Sequence, residues 1–245
     1  MVIARAHGSG DPRTLIVPGL GATAGEARIP ASGLPGTRIV LTLPSHADAA
    51  DASLDYWHYP TIAADVRSAL DGVRQAIGVS LGAAALSNLV STEPDVLDRL
   101  VLMLPAALTQ PRPSASAAHV LEMSTAALNG DRARLRALVA ADAPGGLDDY
   151  VNERTDALLR LGPALAAVAT QIPVPDPMPL THVTAEVLIV AATGDLLHPL
   201  ETAQEAAVAF PKATMVQFDS PAPMVTHRRE LRSLLSDFLG VPSAG

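Results

Sequence analysis

A serine hydroxyl becomes a useful nucleophile when the chain holds it at the tip of a tight turn with a proton acceptor beside it. Gly78-Val79-Ser80-Leu81-Gly82 has the makings of such a turn. An apolar run, Ala76-Ile77, leads into it and an Ala-rich, helix-compatible segment, Ala83-Ala84-Ala85, leaves it. Glycines two residues before and after the serine let strand and helix approach closely. The start of the helix then aims at the reacting oxygen, and the backbone N–H of Leu81 becomes available to a developing oxyanion. Gly-x-Ser-x-Gly also arises by chance in a chain with 17 glycines, as a plain turn around an ordinary serine. Its place between a strand-like and a helix-like run favours the nucleophile elbow. A second Gly-rich loop, Pro18-Gly19-Leu20-Gly21, follows the compact apolar run Thr14–Val17. Taken with the elbow, it is a candidate for the other half of an oxyanion hole, through the N–H of Leu20.

Strands able to position these loops are expected at 14–17, 37–43, 99–104, 185–192 and 213–218, with the elbow strand ending at Val79. Helical spacing of Ile62, Val66, Ala69, Leu70 and Val73 predicts a helix over 61–73, and another follows at 81–90. Strand and helix alternate to Pro105, which implies an α/β fold with a mostly parallel sheet and helices on both faces. From 106 to 181 the rhythm changes. Helix-like stretches at 116–129, 131–141 and 147–170, then Pro173, Pro175, Pro177 and Pro179, read as a helical cap inserted into a core of 1–105 and 182–245. Helices at 200–210 and 227–239 complete the core, and Val241 onward reads as a frayed tail. Trp57, beside His58 and Tyr59, either lines a pocket or covers the sheet edge.

The chain has 245 residues and a net charge of −8, which argues against nucleic acid or an anionic membrane as a partner. With no cysteine there is no disulfide framework, thiolate metal site or cysteine nucleophile. No histidine spacing forms a metal-ligand signature, so neither a metal nor an organic cofactor is expected. The chain shows no leader-like start and no run of about 18 apolar residues, so a cytoplasmic protein acting on a small molecule is the default expectation. Nothing in the sequence specifies an oligomeric state.

With these pieces in place the chain resembles the α/β-hydrolase fold superfamily across nearly its full length. Ser80 matches the family nucleophile. Asp195, after the strand Val187–Ala192, matches the family acid, although an acidic residue there could also cap a helix. Pro18-Gly19-Leu20-Gly21 resembles the loop that usually begins His-Gly. Leu43-Pro44-Ser45-His46-Ala47-Asp48 resembles the family's Pro-Gly-His-Gly loop with both glycines replaced. The family histidine follows the last strand as Gly-His, and that slot falls here at Pro221 or Pro223. His227 is the nearest histidine, either the base moved one helical turn or a first-turn helix residue with no catalytic part. His46 and Trp57 are the candidate substrate-lining residues, and His198, three residues beyond Asp195, reads as a helix start. The resemblance implies a serine hydrolase of an ester, lactone or thioester of a small to medium organic acid, and the Leu- and Ala-rich cap suggests a largely hydrophobic substrate. The missing Gly-His keeps two alternatives open: a cyclase, lyase or acyltransferase on the same scaffold, or a binding protein with a vestigial elbow.

Overall fold

A computed structural model describes residues 2–240; the tail from Val241 onward lies outside the described residues. In chain order the elements are β1 (Ile3–His7), β2 (Arg13–Val17), β3 (Thr37–Thr42), α1 (Tyr59–Leu70), β4 (Gln75–Val79), α2 (Leu81–Thr92) and β5 (Arg99–Met103). Then come α3 (Ser114–Leu128), α4 (Arg132–Asp142), α5 (Asp148–Arg160) and α6 (Gly162–Ala169). The chain closes with β6 (Glu186–Ala192), α7 (Leu200–Ala209), β7 (Ala213–Phe218), α8 (Pro223–Thr226) and α9 (Arg228–Gly240). The strands form one seven-stranded sheet in the order β1-β3-β2-β4-β5-β6-β7. β1 runs antiparallel to β3 and every other pairing is parallel.

The central strands are unbroken apolar runs because both faces of the sheet are covered. Alternation still sorts their side chains. Leu15, Val17, Leu100 and Leu102 join Ile62, Val66 and Leu86 of α1 and α2 on one face. Ile16, Val101 and Met103 meet Leu231, Leu235 and Leu239 of α9 on the other. Burying each such aliphatic chain stabilises the fold by roughly 1.5–3 kcal/mol before entropy is counted. Helices α3 to α6 share a cluster of their own, into which Leu20 and Leu197 project from the sheet side. Leu161, Ala164 and Val168 belong instead to the main core, so this helical layer is packed directly onto it. Among the described residues no helix is long and apolar enough to cross a membrane.

Three features differ from the expected pattern. β1 is a strand although its residues are half-buried or exposed, and its pairing with β3 supplies what its short apolar stretch does not. The helix expected over 147–170 is two, α5 and α6, because Pro163 has no N–H to offer the carbonyl four residues back. The closing helix begins at Arg228, after the separate turn of α8.

The loop after β3 takes a left-handed backbone at two residues that are not glycine. Ser45 has φ 60° and Ala47 φ 42°. The serine partly compensates, its hydroxyl accepting the Ala52 N–H at 3.0 Å. Exposed Ala47 has no such return; its carbonyl accepts from Arg160 at 2.8 Å, a bond that any residue there would keep. Ala47→Gly should therefore stabilise the protein by about 0.5–1 kcal/mol, the left-handed strain relieved less the entropy added to the unfolded chain. A urea midpoint that falls, at unchanged slope, would contradict the strain.

Candidate active site

β4 ends at Val79 and α2 begins at Leu81, leaving Ser80 alone at the bend with φ 51° and ψ −107°. That conformation costs on the order of 1–3 kcal/mol and persists only where its surroundings over-determine it. The glycines do so. A Cβ on Gly78 would lie 2.5 Å from the backbone of Gly82, and one on Gly82 would lie 2.1 Å from the Val17 carbonyl oxygen. On the other side, the Ser80 N–H donates to the Met103 carbonyl at 2.9 Å. As first residue of its helix, Leu81 has an N–H with no intrahelical acceptor.

Above the serine passes the loop 18–21. A Cβ on Gly19 would touch the Ser80 Cβ at 3.4 Å, so a larger residue there would press on the bend. The loop turns through Gly21 at φ 72°, and its N–H donates to His46 Nε2 at 2.8 Å. His46 Nδ1 donates in turn to the Pro44 carbonyl at 2.9 Å. With Nε2 accepting and Nδ1 donating, the ring is neutral in a single tautomer. Burial pulls its pKa down from 6.5 to about 4, against the opposing effect of the Pro44 carbonyl. His46 and Trp57 are both 3% exposed, with ring centroids 6.2 Å apart. The expectation that they line a substrate pocket is therefore corrected. They are packed beneath the loop, where His46 ties the Gly21 end of 18–21 to the loop after β3.

Beyond β6, Asp195 Oδ1 accepts the N–H groups of Leu197 at 2.9 Å and His198 at 3.2 Å. This side-chain-to-backbone turn folds His198 back over the carboxylate that precedes it. His198 Nδ1 donates to Asp195 Oδ2 at 2.6 Å, and Nε2 accepts from the Ser80 hydroxyl at 2.8 Å. Burial would raise the pKa of Asp195, but His198 and the two N–H groups outweigh it and hold the carboxyl below its ordinary value. Asp195 is thus no helix cap, since α7 starts only at Leu200.

The structure brings together Ser80 and Asp195 as expected, with His198 between them and not His227. His227 bonds to the neighbouring Thr226 hydroxyl, Nδ1 to Oγ1, at 2.9 Å, and its ring lies 5.4 Å from that of Phe218. The slot after β7 does face the site, for Pro221 and Pro223 line its cavity, but proline occupies it. One turn further on, the chain has rotated His227 onto Phe218. The signal for His198 was present as Asp-x-x-His followed by proline, a turn spacing that a helix-start reading passes over.

Space opens on both sides of Ser80. A cavity of ≈ 470 Å³ reaches Asp195 and His198 past Tyr150, Arg154 and Met224. A chamber of ≈ 60 Å³ joins Gly19, Ser80 and His198, and another of ≈ 40 Å³ lies beneath α3 and α6. Arg154 borders all three, its Nη1 donating to Glu26 at 3.1 Å.

No family model matches the chain and no curated protein matches it. Solved structures do. An alpha/beta hydrolase enzyme from a Medee basin deep-sea metagenome library is 13% identical with a TM-score of 0.81, over 100% of this chain and 96% of that one. An esterase from Exiguobacterium antarcticum is 17% identical with a TM-score of 0.80, over 98% and 96%. The enol-lactonase from Burkholderia xenovorans LB400 is 17% identical with a TM-score of 0.79, again over 98% and 96%.

His46 makes the loop sensitive to acid. Its folded pKa lies below the unfolded value of 6.5, so its contribution is complete above pH 6.5 and falls as pH drops towards 4. By pH 5 the wild type should have lost about 2 kcal/mol relative to pH 7 on this account. His46→Gln, which cannot titrate, should lack that part of the loss. Urea unfolding of both proteins at pH 7 and 5 reads the difference, and parallel losses would refute the assignment.

Proposed function

On the α/β-hydrolase fold of this chain, we propose a serine hydrolase that forms an acyl-enzyme on Ser80, with His198 as base and Asp195 as the acid that orients it. The observation that carries this reading is the unbroken hydrogen-bond chain Ser80–His198–Asp195, at 2.8 and 2.6 Å. The Ser80 oxygen attacks the substrate carbonyl while His198 Nε2 takes its proton, and Asp195 balances the imidazolium. Negative charge on the carbonyl oxygen is received by the N–H groups of Leu20 and Leu81. Neither group donates to any other described residue. Collapse breaks the carbon–oxygen or carbon–sulfur bond, and His198 returns the proton to the leaving group. Water then attacks the acyl-enzyme with His198 again as base, releasing the acid and restoring Ser80.

The substrate class is an ester, lactone or thioester of a small to medium organic acid. The esterase and the enol-lactonase of the same fold lend it support. A non-hydrolytic enzyme or a vestigial binding protein drew its case from the missing Gly-His; His198 beside Ser80 supports the hydrolase reading over both.

Turnover of p-nitrophenyl butyrate by single variants tests the roles. Ser80→Ala and His198→Ala should each lower kcat/KM by about a thousandfold or more. His227→Ala should stay within about threefold of wild type. Retained activity in His198→Ala together with loss in His227→Ala would overturn the assignment of the base. A wild type that hydrolyses no activated ester, anionic or neutral in its acyl part, would remove the hydrolase reading.

A further inference from the structure

The two sides of Ser80 differ in charge. A leaving group must lie against the histidine that protonates it. His198 lines the ≈ 470 Å³ cavity and the ≈ 60 Å³ chamber but not the ≈ 40 Å³ chamber, which therefore takes the acyl part. That acyl chamber is walled mainly by aliphatic side chains such as Met123 and Leu165, yet Arg112 and Arg154 also enter its wall and no carboxylate does. Arg154 has its counterion in Glu26. Arg112 makes no ion pair among the described residues. Its Nη1 donates to the Leu197 carbonyl at 2.8 Å and the Ser116 hydroxyl at 3.3 Å, while its Nε is buried without a partner. Asp195, the carboxylate whose charge acts on it, is already bonded to His198.

A guanidinium stays protonated even when burial works against it, and leaving one buried and uncompensated is costly. A purely hydrocarbon acyl group would leave that cost in place. An anionic one would relieve it by pairing with the guanidinium in the chamber wall. We propose that Arg112 is an anion subsite and that the acyl group carries a carboxylate at its far end, as in a half-ester of a short dicarboxylic acid. The chamber's ≈ 40 Å³ is small, which limits the arm to a short one such as malonyl or succinyl. This inference rests on Ser80 as the acylated residue.

Arg112 also fastens Leu197, so substitution can slow every substrate; the ratio between two substrates is free of that effect. Wild type and Arg112→Gln are compared on the mono-p-nitrophenyl ester of succinate and on p-nitrophenyl butyrate. Wild type should favour the succinyl ester by about tenfold or more in kcat/KM, and Arg112→Gln should abolish the preference. A purely structural Arg112 would lower both rates and leave the ratio unchanged, which overturns the proposal. Calorimetric titration of Ser80→Ala with succinate and butyrate supplies a reading independent of turnover. Succinate should bind about tenfold tighter or more, and the added Arg112→Gln change should erase the difference. Equal binding of the two acids, or binding of neither, refutes the subsite. Arg112-dependent succinate binding in a protein that hydrolyses no ester would leave the subsite standing and remove the hydrolase.

Discussion

The closeness with which α2 lies on the sheet is the constraint from which the rest follows. Two glycines permit it: Gly82 against the Val17 carbonyl and Gly78 against the backbone of Gly82 itself. With the helix so close, the bend between β4 and α2 has room for one residue, and Ser80 takes a backbone geometry that a free chain would avoid. The strain is held from several directions. β5 accepts the Ser80 N–H, α2 propagates from its carbonyl, and the 18–21 loop closes over its side chain. Leu104, at the end of the neighbouring strand, also has positive φ and borders the same chamber. Distortion is concentrated where the carboxyl ends of parallel strands meet, which is where open α/β sheets place their sites.

Acid and base arise from a single turn. Asp195 folds the chain back with one carboxylate oxygen and receives the imidazole with the other, so the angle between the two groups is set locally. A histidine delivered from after β7 would have to be held by the packing of a different segment. The segment after β7, with Pro221, Pro223 and Met224, instead forms a wall of the large cavity. Leu197, between acid and base, packs into the α3–α6 cluster, as Leu20 does from the loop above the serine. The helical layer therefore touches both loops that bear on Ser80, and its packing bears on the site's geometry as well as on its shape.

Apart from β1, the strands and most helices were legible, because burial on two faces leaves an unbroken apolar run and burial on one leaves a period. The elbow was legible because steric need fixes glycine at two positions. Three features were not. The break between α5 and α6 hangs on Pro163 inside an otherwise helical run. The neutral, buried state of His46 depends on a bond from Gly21, twenty-five residues away, which no local pattern records. His198 was passed over because a histidine before proline at a helix start is ordinary, and only the path of the chain in space distinguishes it. Ser45 and Ala47 mark a subtler limit. Their side chains suggest an ordinary loop, yet the backbone takes the left-handed geometry that glycine adopts most readily.

Charge around Ser80 is also organised by distance rather than by sequence. Arg154 borders every chamber, but its partner Glu26 borders only the two that touch His198. On that side Asp142 and Asp195 add further carboxylates, and burial raises the carboxyl of Asp142 despite its bond to His119. On the opposite side the guanidiniums stand among aliphatic groups with no acid in the wall. Carboxylates thus line only the spaces that His198 also lines, a gradient of charge between the chambers. In a poorly hydrated site such a gradient acts on a ligand far more strongly than it would in water. A molecule with negative charge on one side of its scissile bond has one favoured orientation, and reversal would place that charge against Asp195, Glu26 and Asp142. That asymmetry comes from where the chain places two half-buried arginines, one with a counterion and one without.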